Sequence, residues 1–350
     1  MPVFDTSRRL LVFDCHEAWV YQLRGLGQPM DVVIGLKGRT TDGWDEAMRP
    51  VPPNARLVRL PEVLAAAPRY ACIIAHNLSD LLDAKTLAGP RLLVIHTTLD
   101  GIVREQGSTT SPDDVRQAVA QYLNLIGGHA MAVSELKGRS WGLADDIVPF
   151  SADPADYLPY AGDLVCGLRI ANNIRNKWHT LLWDFHQQVF AGIPITLAGH
   201  NDDMPGVKPT RDWAQLKQML SRHRFFVHTA DPRLEDGYNM ATLEAMAAGV
   251  PILGNRHPAS PITHGVSGFL SDDPAELRTC AQRLLDDREL AVRMGRAAQE
   301  VVAERFSPEK FRTGLLRSIE RARRKWNSTV KAGATGTAPS DRARQAGGRW

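Results

Sequence analysis

The stretch from Phe225 to Asn255, FFVHTADPRLEDGYNMATLEAMAAGVPILGN, constrains the fold more than any other part of the chain. Phe225 to Thr229 is a short apolar, partly aromatic run and reads as a buried strand. Asp231 to Asn239 gathers Pro, Asp, Gly and Asn and reads as a loop. Ala241 to Ala248 consists almost wholly of strong helix formers. Gly249 stands where a glycine ends a helix, Pro251 forbids continuation, and Pro251 to Leu253 reads as the next strand. Strand, loop, helix and strand in that order are the unit of a parallel α/β sheet. In such sheets ligands bind beyond the carboxyl ends of the strands, where the free N–H groups of a helix start suit a phosphate. Glu244 is the odd residue, a carboxylate in a helix of small and apolar side chains. Burying it without a partner is costly, and a ribose diol would offer two hydroxyl donors. The alternative is a surface glutamate on an exposed helix face.

Composition narrows the classes. At 350 residues the chain is expected to form two domains, each with its own core. No stretch approaches the roughly 20 apolar residues of a membrane span, and the first ten residues lack the pattern of a signal peptide. Cys15, Cys72, Cys166 and Cys280 are scattered singly, without metal or disulfide spacing, which fits a cytoplasmic location. The formal charge of +3 is misleading. Residues 321–350 carry eight Lys or Arg against one Asp, so the preceding 320 residues are net acidic. Basicity confined to a tail argues against nucleic-acid binding, which wants a basic patch on a folded face. Weak contact with a membrane surface stays open.

Read in order, Arg9–Asp14, Asp31–Gly35, Ala71–Ala75, Arg91–Ile95 and His129–Ser134 are expected strands, with a helix over Asp113–Gly127. The strands ending at His76 and His96 place an imidazole on the side where sites form. The Pro- and Asp-rich run SADPADYLPYAG marks a boundary near 152–162. A second set follows: a strand at Asp163–Arg169, an amphipathic helix over Lys177–Phe190, a strand at Ile195–Ala198, and a helix over Asp212–His223. His228, inside an apolar strand, reads as a satisfied core residue. Helices close the chain to about Lys325, and Lys331–Trp350 reads as disordered. No Gly-x-Gly-x-x-Gly follows a strand, which disfavours a nicotinamide enzyme.

The segment DGYNMATLEAMAAGVPIL, Asp236 to Leu253, resembles the donor-site motif of retaining GT-B glycosyltransferases of the family 4 type, also called glycosyl transferases group 1. There two acids stand eight positions apart, the first followed by Gly and an aromatic; here Asp236, Gly237, Tyr238 and Glu244 fill those places. His264 to Ser307 is similar to the family's C-terminal pattern. The resemblance is good over Val227–Phe311, loose over Leu164–His200, and only in outline before that. One departure is that the first acid is Asp rather than Glu. Glu235 precedes it, so the register of that carboxylate stays open.

The resemblance implies two Rossmann-like domains with parallel sheets facing across a cleft: an acceptor-side domain over 1–155, a donor-side domain over 160–308, a helix over 309–326 crossing back, and a disordered basic tail over 327–350. It implies sugar transfer from a nucleotide-diphosphate donor with retention, with no metal and no cofactor. The acceptor, a glycan, lipid or small molecule, is not specified. Glu244 would hold the ribose; Gly237, Tyr238 and Asn239 with the helix start would cradle the diphosphate together with Arg169 and a second cation, Arg175 or Lys177. Asp236 would meet the reacting end, and His96 matches the cleft histidine of the family's N-terminal domain. His16 and Glu17, in the first loop, are further cleft candidates. Two other readings compete: a GT-B sugar-nucleotide epimerase, and a scaffold that keeps the fold without turnover, favoured by the glycine-poor loops at 15–19 and 256–261.

Overall fold

The computed structural model describes residues 8–37, 43–105, 109–143 and 145–334. The first domain runs β1 (Leu10–Phe13), α1 (Glu17–Gln22), β2 (Met30–Ile34), β3 (Ala55–Arg59), α2 (Leu60–Ala66), β4 (Cys72–Ala75), α3 (Leu78–Asp83), β5 (Arg91–Ile95), α4 (Leu99–Glu105), α5 (Pro112–Leu125), β6 (His129–Ala132) and α6 (Glu135–Ser140). The second runs β7 (Leu164–Ile170), α7 (Trp183–Phe190), β8 (Ile195–Ala198), α8 (Trp213–Arg222), β9 (His223–Val227), α9 (Met240–Ala247), β10 (Ile252–Gly254), β11 (Gly268–Leu270), α10 (Pro274–Asp286) and α11 (Arg288–Arg305), and α12 (Pro308–Ala334) ends the described chain.

Both sheets are wholly parallel, with orders β3-β2-β1-β4-β5-β6 and β11-β10-β9-β7-β8. The near-continuous apolar runs of β1, β4 and β5 are buried along their length because helices cover both faces of a parallel sheet. β3 and α2 have no counterpart in the sequence reading. β3 is a sheet edge with no fully buried residue, so its sequence ARLVR lacks the apolar run that marks the inner strands. Among the described residues no helix is long and apolar enough to cross a membrane.

Two expectations need correction. The helix expected over Lys177–Phe190 begins only at Trp183, after Leu182 in the left-handed region at φ 46° and ψ 53°. The Leu181 carbonyl accepts from Arg169 Nη2 at 2.9 Å and Thr229 Oγ1 at 2.6 Å, so it is bound to the sheet rather than to a helical ladder. The closing helix continues to Ala334, past the limit of 326 expected for it. It returns to the first domain, where Phe311 meets Trp19 edge to face at 6.1 Å and Ser318 Oγ donates to Asp146 Oδ1 at 2.9 Å. The remainder of the expected tail, from residue 335, lies outside the described residues.

Candidate active site

The carboxyl ends of the two sheets face each other across a cleft of about 1090 Å³. The second-domain wall carries the motif read first. Asn239 caps α9, its Oδ1 accepting from the Thr242 N–H and Oγ1 at 2.9 Å each. At the other end Gly249, at φ 79°, takes the left-handed turn; its N–H reaches the Met246 carbonyl and that of Val250 the Ala245 carbonyl, a Schellman ending. Ile252 pairs with Phe226, which seats the helix start at the cleft.

Glu244 lines the cleft yet is only 4% exposed, so the surface reading of this residue is set aside. Its partner comes from the opposite domain: Arg49, also 4% exposed, pairs Nη2 with Glu244 Oε1. The guanidinium lies 4.6 Å from the Trp213 ring centre, and Trp44 Nε1 donates to the Arg49 carbonyl at 2.8 Å. Burial pulls this guanidinium below its ordinary pKa. Arg49 sits in a long irregular loop and gave no signal in the sequence beyond its charge.

A second bridge joins the domains at the motif's first acid. Lys137, on α6, reaches Glu235 Oε1 at 2.8 Å and Asp236 Oδ2 at 3.0 Å. Burial works against its charge, but the two carboxylates outweigh that and hold the ammonium above the ordinary lysine range. Conversely burial favours protonating Glu235, and Lys137 more than reverses this, leaving it below the ordinary glutamate value. The two acids are not equivalent. Glu235 lines the cleft with its side chain 25% exposed, whereas Asp236 does not line it and is 1% exposed. Spacing alone picks Asp236; the backbone turn points Glu235 at the cleft.

The other motif residues are structural supports. A Cβ on Gly237 would lie 2.7 Å from the Ser260 nitrogen and 2.8 Å from His257 Nδ1, so only glycine lets the 256–261 loop close on the turn. His257 Nε2 bonds the Glu235 carbonyl at 2.9 Å, fixing the loop there. Tyr238 is buried edge-on against Phe306, away from the cleft. His228 is satisfied by the Asp236 carbonyl at 3.1 Å.

The expected diphosphate cations do not line the cleft. Arg169 is 2% exposed and binds Thr229 Oγ1, the Leu181 carbonyl and the face of Trp183; burial brings its pKa down to about 9. It lies inside β7, short of the strand end. Arg175 Nη1 donates to the Asp203 carbonyl on the surface, and Lys177 lies in the turns that replace the expected helix. The cations that do line the cleft are Arg49, Lys137, Lys208 and Arg211, the last two from the loop between β8 and α8.

On the first-domain wall, His16, His76 and His96 line the cleft beside Trp19. His76 Nδ1 and His96 Nε2 are 2.8 Å apart, and Trp19 stands edge-on to both. Burial lowers the pKa of His76 to about 3 and of His16 to about 4, the latter with help from Arg49; His96 is driven well down by burial and then by His76 and Lys137. All three are neutral at pH 7. Glu17 does not line the cleft; it is 1% exposed and accepts from the Asp45 N–H at 3.1 Å, steadying the loop that carries Arg49. Folding gathers Cys15 with His76 and His96, one ligand atom from each within 4.8 Å of the others, although the sequence scatters them. Burial, with Asp14 and Glu17, keeps that thiol protonated, and the two imidazoles already bond each other, so the trio reads as a neutral polar cluster.

Residues 189–287 match the family model described as Glycosyl transferases group 1. The chain has the GT-B fold, and over those residues its second domain is similar to glycosyl transferases group 1. Among similar sequences, N-acetyl-alpha-D-glucosaminyl L-malate synthase of Bacillus anthracis is 40% identical over 81 residues, covering 22% of this chain and 21% of that protein. The mouse alpha-1,3/1,6-mannosyltransferase ALG2 is 25% identical over 181 residues, covering 45% and 42%. The matches therefore span less than half the length of these curated relatives. Among solved structures, Anabaena Alr3699/HepE in complex with UDP and glucose superposes with a TM-score of 0.65 at 15% identity, over 89% of this chain and 99% of that one. Sucrose-phosphate synthase from Thermosynechococcus elongatus gives 0.62 at 14%, over 90% and 98%. These likenesses establish the GT-B fold over nearly the whole chain.

Proposed function

We propose that this protein transfers a sugar from a nucleotide-diphosphate donor to an acceptor bound on the first domain, with retention, without a metal and without a cofactor. The carrying observation is the buried Glu244 carboxylate one turn into a helix whose start opens on the interdomain cleft. Glu244 holds the ribose diol, and the α9 start at Asn239 receives the diphosphate. Arg49, Lys208 and Arg211, rather than Arg169, Arg175 and Lys177, supply positive charge as the bond from the anomeric carbon to the phosphate oxygen breaks. The neutral His96 can accept a proton from an acceptor hydroxyl. That several solved neighbours carry UDP or UDP-glucose makes a uridine donor the first to try. A cytoplasmic location belongs to the same reading.

Glu244→Ala is expected to lower nucleotide affinity about ten- to hundredfold in titration calorimetry, because a charge-assisted bond contributes roughly 1.5–3 kcal/mol. Unchanged affinity in a protein with native circular dichroism would refute the ribose role. A second reading, a binding scaffold without turnover, is favoured by one observation: both motif acids are already ion-paired across the cleft. Release of nucleotide from a donor in a panel of candidate acceptors separates the two.

A further inference from the structure

We propose that Lys137, contributed by the acceptor-side domain, is a positioning residue that presents Glu235, in place of Asp236, as the acid facing the donor sugar. The inference deepens the transferase reading and rests on it for its functional part. Three observations carry it. Lys137 is 3% exposed, so its ammonium is there for partners rather than for solvent. Those partners are the two adjacent acids of the opposite domain, one bond to each. The acids then diverge: Asp236 is turned inward with Oδ1 buried and without a hydrogen-bond partner, while Glu235 faces the cleft.

The arrangement solves an electrostatic problem. Two neighbouring buried carboxylates cannot both stay ionised cheaply, and one would take up a proton. A single ammonium between them neutralises one charge and leaves one anion for the site. The other titratable groups around Lys137 cannot replace it: His96 is driven neutral, and His228 and His257, which face Glu235, are each lowered by burial. Because Lys137 belongs to one domain and the acids to the other, this charge state depends on the contact between the domains.

The test uses the full chain with Lys137→Met, Lys137→Arg, Glu235→Gln and Asp236→Asn. The functional readout is the affinity of UDP-glucose and GDP-mannose relative to UDP and GDP alone. Lys137→Met and Glu235→Gln are expected to leave nucleotide affinity within twofold and to remove the added affinity from the sugar. Lys137→Arg and Asp236→Asn are expected to retain that sugar increment. Loss of the increment in Asp236→Asn but not in Glu235→Gln would overturn the assignment, as would its survival in Lys137→Met. A ligand-free readout keeps the test independent of the donor reading: carboxyl carbon NMR of Glu235. Its titration is expected to lie below the ordinary glutamate range in the parent protein and to move up in Lys137→Met. If the parent binds neither nucleotide, the transferase reading fails while this titration still decides the role of Lys137; an unmoved titration overturns it.

Discussion

The two walls of the cleft were built by different means. On the second domain the motif is one contiguous segment, Phe225 to Asn255, in which strand, capped helix and Schellman turn follow one another and carry Glu235 and Glu244 to the cleft. The first-domain wall is assembled from residues far apart in sequence: His16 and His96 at strand ends, Arg49 in a loop, Lys137 on α6. The motif supplies Glu235, Asp236 and Glu244, and the first domain supplies Arg49 and Lys137, whose positive charge makes them tolerable to bury. Neither is an electrostatically complete site. Each of these buried pairs depends on contact between the two domains.

The sharpest way to break this dependence is Arg49→Met, which leaves Glu244 buried without its counter-charge. Removing one partner of a buried pair costs roughly 3–5 kcal/mol. Denaturant unfolding is expected to show a loss of that size, partly restored by saturating nucleotide. An unchanged midpoint would mean that the walls do not depend on each other.

Acid probes both walls at once. Burial holds His16 and His76 in the first domain, and His186 and His228 in the second, neutral, with pKa values near 4, 3, 2 and 4. The unfolded chain takes up protons below about pH 6.5 while the folded one does not, so it binds more protons and stability rises with pH. The contribution is full above pH 7 and is lost as pH falls from 6.5 towards 4. His76→Gln is expected to shrink the loss between pH 7 and pH 5 by roughly 1–2 kcal/mol in thermal melts across that range. A loss of the same size in variant and parent would assign the acid sensitivity elsewhere.

The smallest effect is expected from Arg169→Met. Its partners are neutral, and Thr229 still satisfies the Leu181 carbonyl. Replacing such a charge by an apolar chain of similar volume is close to neutral, so stability should change by less than about 1 kcal/mol, and calorimetry should show UDP affinity within twofold. A tenfold loss of affinity would return Arg169 to the diphosphate site and weaken the contrast between the walls.

How far the sequence was legible follows the same division. The parallel sheets, the capped helix and the cleft-facing position of Glu244 were readable because each is set by neighbours within about twenty residues. β3 was missed because an edge strand need not be apolar, and the false start of α7 because the Leu181 carbonyl is claimed by side chains 12 and 48 residues away. Counting positions favours Asp236 and leaves Glu235 open, because spacing does not reveal which way a turn points a side chain. By itself the sequence determined the fold, since hydrophobic periodicity and turn chemistry act locally. Which cation meets which acid was decided only by the tertiary structure, because Coulomb attraction depends on distance in space, and Arg49 lies 195 positions from Glu244 in the chain.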